Sequence, residues 1–208
     1  MNTSDSSQSF DLRAKTWDAD PMKTARAQAV AEAIRARVPE TAGMTGFEYG
    51  CGTGLLSFAL QTHVRHITLA DTSTGMLDVL REKIAAAGIV NMTPVRLDLT
   101  ADPLPAERFD LIYSLMTFHH IADTGRILSD LHALLAARGY LCIADLDRED
   151  GSFHGAAFSG HRGFDREELA RKTERAGFHK VQFSSVFSIR KGQPPRDYPV
   201  FLMTAEKR

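Results

Sequence analysis

The segment Phe47-Glu48-Tyr49-Gly50-Cys51-Gly52-Thr53-Gly54-Leu55 sets an acid and three alternate glycines where an apolar run gives way to an amphipathic stretch. A loop of this kind can bring its backbone against a ligand, because glycine turns tightly and has no Cβ to hold the ligand off. The chemistry implied is the holding of a nucleotide-containing cofactor. Its spacing discriminates: a dinucleotide fold wants Gly-x-Gly-x-x-Gly, which requires glycine at 55, and that position is Leu55. Asp71 lies 17 residues beyond Gly54, where a carboxylate can accept both hydroxyl hydrogens of a ribose. His119 and His120 follow an apolar run and are suited to take a proton near neutral pH.

These groups need a scaffold of alternating strands and helices. The chain has 208 residues, 43% hydrophobic and 25% charged, which suits one α/β domain spanning residues 1–208. Short apolar runs at 46–49, 66–70, 92–97, 109–114 and 140–144 read as strands. Between them, Leu55, Leu56, Ala59 and Leu60 share one helix face, Met76, Leu77, Leu80 and Ile84 a second, and Ile127, Leu128, Leu131, Leu134 and Leu135 a third. Pro94 cannot donate to a sheet ladder, so its strand belongs at an edge or starts there. Residues 1–40 read as a polar tail followed by a helix from Pro21 to near Pro39, residues 41–147 as a cofactor-binding core, and residues 148–208 as a substrate-side loop, a helix and a hairpin. That last helix starts at Asp165 with Glu168 three residues on, a cap signature. Two alternating segments, 181–189 and 200–205, predict the antiparallel hairpin.

The glycine loop with its leading acid, and Asp71-Thr72-Ser73-Thr74-Gly75-Met76-Leu77 after it, resemble the class I S-adenosylmethionine-dependent methyltransferases. That resemblance implies a Rossmann-like, mostly parallel seven-stranded sheet of order 3-2-1-4-5-7-6, flanked by helices and closed by the hairpin. It also implies S-adenosylmethionine as cofactor, with Glu48, Gly50, Cys51, Gly52, Gly54, Asp71, Thr72, Met76, Asp98, Leu99 and Leu115 around it. Within that set Asp71 takes the ribose, Met76 packs on adenine, Asp98 and the Leu99 N–H reach the adenine edge, and Leu115 contacts the amino-acid end.

Methyl transfer from a sulfonium depends mainly on alignment, with a base helping when the acceptor must lose a proton. His119 and His120 are the candidate bases, and Trp17, His154 and His161 are candidates for the acceptor wall. A zinc set of His154, His161 and loop acids matches no standard short ligand motif, so no metal is expected. Ser114-Leu115-Met116-Thr117 stands where amino-group methylases of nucleic acids carry Asn/Asp-Pro-Pro-Tyr/Phe, and neither cysteine sits in a Pro-Cys motif. A net charge of -1 offers no field for nucleic acid or anionic lipid. The expected acceptor is a small molecule, with no nucleic-acid or membrane partner. Two cysteines without a disulfide framework and no visible signal peptide point to the cytoplasm. A non-catalytic cofactor-binding regulator and a nicotinamide oxidoreductase are the alternatives.

Overall fold

In the computed structural model, which describes residues 3–39, 41–155 and 158–208, seven strands pair in the order β3-β2-β1-β4-β5-β7-β6. They are β1 (Thr45–Tyr49), β2 (His66–Asp71), β3 (Met92–Arg96), β4 (Phe109–Leu115), β5 (Leu135–Leu146), β6 (His179–Lys191) and β7 (Arg196–Glu206). The first five run parallel and β7 is antiparallel to both β5 and β6. Pro94 sits in β3 at the sheet edge, opposite Leu69, where its missing N–H costs no ladder bond.

Helices α1 (Thr3–Arg13), α2 (Pro21–Arg37), α3 (Leu55–Leu60), α4 (Thr74–Ala86), α5 (Thr124–Leu134) and α6 (Arg166–Arg175) flank the sheet. Two apolar layers result. One gathers Val30 and Ile34 of α2, Leu56 and Leu60 of α3, and Leu77 and Leu80 of α4 against Ile67, Leu111 and Tyr113. The other gathers Ile127, Leu128 and Leu131 of α5 and Leu169 of α6 against Phe47, Ile112 and Phe201. Side-chain caps start two of the helices: Ser73 accepts the Met76 N–H at 3.1 Å, and Asp165, the cap that the sequence suggested, accepts the Glu168 N–H at 2.9 Å.

Two expectations change. Leu135 opens β5, pairing with Phe109, and does not continue the α5 face; a register irregularity lets the long strand begin directly after the helix. The stretch read as a polar tail is helical over 3–13 and 3₁₀ over 14–19. No apolar periodicity marks it, because polar contacts fasten it: Asp11 accepts from the Ser73 hydroxyl at 2.5 Å and the Gly75 N–H at 2.8 Å, and Asp18 pairs with Lys83 at 2.5 Å. Basic residues of the β6–β7 tip are tied to the loop after β5. Lys191 donates to the Phe153 carbonyl at 2.6 Å and Arg196 to Asp150 at 2.7 Å. No described helix is long and apolar enough to cross a membrane.

Candidate active site

At the carboxyl ends of β1 and β2 the glycine loop forms one half of a cradle. Gly50, Gly52 and Gly54 all have left-handed backbone, with φ of 70°, 53° and 79°, which glycine adopts without steric penalty. Sequence reasoning assigned all three to ligand approach, but their surroundings differ. A Cβ on Gly50 would fall 2.3 Å from Thr117 Cγ2 and one on Gly54 2.6 Å from Leu80 Cδ1, whereas one on Gly52 would meet no described atom within 4 Å. Protein packing excludes a side chain at Gly50 and at Gly54, and of the three only Gly52 faces open space. Its N–H donates to Asp71 Oδ2 at 2.7 Å, while Asp71 Oδ1 accepts the Ser73 N–H at 2.8 Å. Burial raises the Asp71 pKa above the ordinary carboxylate value, opposed by the N–H donors of Ser73, Gly52 and Thr72.

The remaining cofactor candidates lie around this cradle in different settings. Glu48 is buried below the loop, where the Ser57 hydroxyl donates to it and in turn contacts the Tyr113 hydroxyl at 2.7 Å. Burial lifts its pKa to about 8, so the carboxyl is mostly protonated at neutral pH. Cys51 is buried and its thiol is pushed well up, mainly by desolvation; Cys142, in β5, is pushed up to about 12 by the same cause. Neither is a ready nucleophile. Thr72 is half-buried just before α4, and Met76 is fully buried in the first turn of that helix. Asp98 Oδ1 accepts the Thr100 N–H at 2.9 Å and hydroxyl at 2.6 Å, shaping a turn in which Leu99 is buried. Leu115 ends β4, half-buried, and the next residue, Met116, has a left-handed φ of 55°. Such a conformation is uncommon for a non-glycine residue and marks strain held by its surroundings.

Past that strained residue a short 3₁₀ turn, Phe118–His120, delivers the histidines. His119 is 1% exposed, and its Nδ1 lies 2.7 Å from Oδ1 of Asp145, itself fully buried near the end of β5. The carboxylate can only accept, so Nδ1 carries a hydrogen and Nε2 is the nitrogen left outside this bond. The backbone N–H groups of Leu146 and His119 also donate to Asp145, at 2.7 Å and 3.2 Å. Burial alone would raise the Asp145 pKa, but the His119 side chain and these donors hold it below the usual carboxylate range.

His120 packs beside His119, with ring centroids 4.2 Å apart, and meets Phe10 edge-on at 5.4 Å. His154 approaches His119 at 4.9 Å and stacks on Phe158 at 4.0 Å. Burial, with help from the neighbouring His119, lowers the His120 pKa to about 3 and the His154 pKa to about 4. His161 does not join them: its backbone N–H donates to the His119 carbonyl at 2.7 Å, but its ring lies against Phe164 at 5.2 Å, and its Nε2 is buried without a hydrogen-bond partner among the described residues. Trp17 contacts Phe10 at 5.7 Å and carries Lys23 Nζ 3.7 Å from its ring centre, one residue removed from the histidines. Asp145 was legible only as one acid of a loop. An Asp at the end of an apolar run, facing a His at the end of the neighbouring run, was the signal that could have found it.

Residues 47–139 match a methyltransferase domain family. An uncharacterized methyltransferase of Schizosaccharomyces pombe is 32% identical over 120 residues, 54% of this chain and 42% of that protein. A ubiquinone biosynthesis O-methyltransferase of Coxiella burnetii is 31% identical over 101 residues, 49% of this chain and 43% of that protein. The chain thus spans less than half the length of these curated relatives. Among solved structures, a SAM-dependent methyltransferase from Aquifex aeolicus superposes with a TM-score of 0.71 at 20% identity, covering 95% of this chain and 98% of that one.

Proposed function

We propose that this chain, whose core belongs to the class I S-adenosylmethionine-dependent methyltransferase family, transfers a methyl group to a small-molecule acceptor held against its histidines. One observation carries the reading: the open flank of Gly52, tied to Asp71, is a cradle that a Cβ would fill, at the sheet edge where the His119–Asp145 pair also stands. The residues fit the cofactor. Asp71 offers carboxylate oxygens to a ribose diol, Gly50 to Gly54 offer backbone, Met76 and Leu99 offer apolar surface, and Asp98, Thr72 and Leu115 complete the wall. Glu48 and Cys51 act from beneath, fixing the loop.

S-adenosylmethionine, when bound, supplies a methyl group activated on a sulfonium. The chain's own work is placement and proton handling. Asp145 keeps the hydrogen of His119 on Nδ1, so Nε2 can receive a proton from an acceptor hydroxyl, thiol or amine, and the Asp145 charge stabilises the imidazolium that results. His120, desolvated and driven neutral, supplies shape more than basicity. His154 and the loop around it bound the acceptor, while Phe10 and Trp17 carry the N-terminal segment over the cleft as a lid. His161 supports this loop through its backbone.

The buried, protonated thiols and the absence of a third loop glycine at position 55 support this reading over covalent or nicotinamide chemistry. Reduced thiols likewise suit a cytoplasmic enzyme, and the net charge of -1 supports an acceptor other than nucleic acid. The decisive test is calorimetry with S-adenosylhomocysteine and with NADH, followed by labelled-methyl transfer to a panel of small phenols, thiols and amines. Saturable binding of the first alone, and transfer to one acceptor class, are expected. Binding of NADH in its place would overturn the assignment, and cofactor binding without transfer to any class would favour a regulator.

A further inference from the structure

His119, His120 and His154 each present a ring nitrogen, and these nitrogens lie within 4.8 Å of one another. Proton transfer to His119 needs no such convergence. We propose that the three imidazoles form a binding site for a divalent transition-metal ion of the zinc, cobalt or nickel type, with the fourth position left for a small ligand.

The donor set, three neutral-nitrogen ligands, is of the kind that suits these ions. Three protein ligands with one place open is also the arrangement of a catalytic site, where closed structural sites use four. His119 already has the support that a metal-ligating histidine requires: its other nitrogen is held by a buried carboxylate, Asp145, at 2.7 Å, which fixes the tautomer and aims Nε2. The other two rings are positioned by aromatic contacts. His120 lies edge-on to Phe10 and to Phe158, at 83° and 89°, and His154 is stacked on Phe158 at 22°. Bonds of about 2.0–2.1 Å around a tetrahedral ion bring the three nitrogens to about 3.4 Å apart, so the cluster must close on binding. His154 can supply that movement, being exposed and flanked by Gly151 and Gly155, both at positive φ. The separation of residues 119, 120 and 154 along the chain follows no short ligand motif, and the set differs from the His154–His161 pairing that the sequence brought to mind.

The inference rests on the preceding reading only for what the ion would do. With the ion bound, His119 would serve as a ligand in place of its role as a base, and the ion would supply the Lewis acidity that helps an acceptor hydroxyl or thiol lose its proton to water.

The test is titration of the tag-free full chain with Co²⁺ alone, followed by the visible absorption of tetrahedral cobalt, with S-adenosylhomocysteine calorimetry on the same samples. One saturable ion per chain is expected, displaced by Zn²⁺. His154→Ala, at an exposed position that leaves the fold intact, should weaken Co²⁺ by at least about 10-fold and leave S-adenosylhomocysteine affinity unchanged. A featureless titration, or equal Co²⁺ affinity in wild type, His154→Ala and His120→Ala, would overturn the metal site. Loss of S-adenosylhomocysteine binding in the wild type would instead overturn the methyltransferase reading, so the two failures are told apart.

Discussion

Gly52 donates its N–H to Asp71 Oδ2 at 2.7 Å, and this one bond joins the loop after β1 to the end of β2. A ligand in the cradle therefore meets a carboxylate whose position is already set by protein. Asp71→Ala should weaken S-adenosylhomocysteine by about 1.5–3 kcal/mol, the range for hydrogen bonds to a charged group. Calorimetry on the folded variant checks it, and unchanged affinity would remove Asp71 from the site.

Gly50 and Gly52 should separate under substitution. Gly50→Ala and Gly52→Ala each force a left-handed alanine, costing about 1–2 kcal/mol. Only Gly50→Ala adds a clash, its Cβ arriving 2.3 Å from Thr117 Cγ2. Gly50→Ala should show the larger fall in Tm. Gly52→Ala should show the loss of S-adenosylhomocysteine affinity in a protein that still melts cooperatively. Normal affinity there would mean that the open flank is not where the ligand lies.

Glu48 makes stability depend on pH. Its pKa in the fold is about 8, against about 4.3 in an unfolded chain, so the folded state retains a proton that the unfolded state gives up. Its contribution is complete below the unfolded value, declines as pH rises through the interval, and is gone above about 8. Glu48→Gln should flatten the dependence of Tm on pH between 5 and 8 relative to wild type. A parallel pair of curves would show that Glu48 ionises normally.

His119→Gln should lower kcat by about 10²-fold or more with cofactor affinity retained. Asp145→Asn is a change to a positioning residue: it should reduce kcat while leaving KM near wild type, because the ring stays in place but loses its preferred tautomer. Equal kcat in all three proteins would leave alignment as the whole of catalysis.

Whether the N-terminal segment acts as a lid is open to optical test, since Trp17 is the only tryptophan. Saturation with S-adenosylhomocysteine should reduce access of acrylamide to it. Replacing Asp11 and Asp18 with alanine, which removes the contacts to Ser73, Gly75, Thr53 and Lys83, should raise that access in both states. Identical quenching throughout would show that the segment does not respond to the site.

Much of the frame could be read from periodicity, because βαβ units bury apolar faces at helical and strand spacings that leave a trace. Pro94 left its strand two possibilities, an edge position or a start at the proline, and the edge is the one found. The N-terminal helix left no such trace, because Asp11 and Asp18 hold it through polar bonds to residues 35 to 65 positions away. The cradle was visible as a local motif, yet the separate tasks of Gly50, Gly52 and Gly54 depend on Thr117 and Leu80, which no local pattern contains. The pairing of His119 with Asp145 was hidden for a related reason. It depends on β4 and β5 being neighbours and on their register, a property of the sheet that neither residue's own surroundings in the chain disclose.

The place of β7 between β5 and β6 has a consequence for biosynthesis. β6 leaves the ribosome first but belongs on the outside, so β5 waits with a bare edge until residues 196–206 arrive to bridge Tyr140 through Glu206 and His179 through the same residue. The glycine loop, Asp71 and both tandem histidines are made well before that moment. A nascent chain can therefore have its cofactor side assembled while the sheet under His154 is still unfinished, and during that interval the bare edge of β5 is the part most in need of protection from other chains.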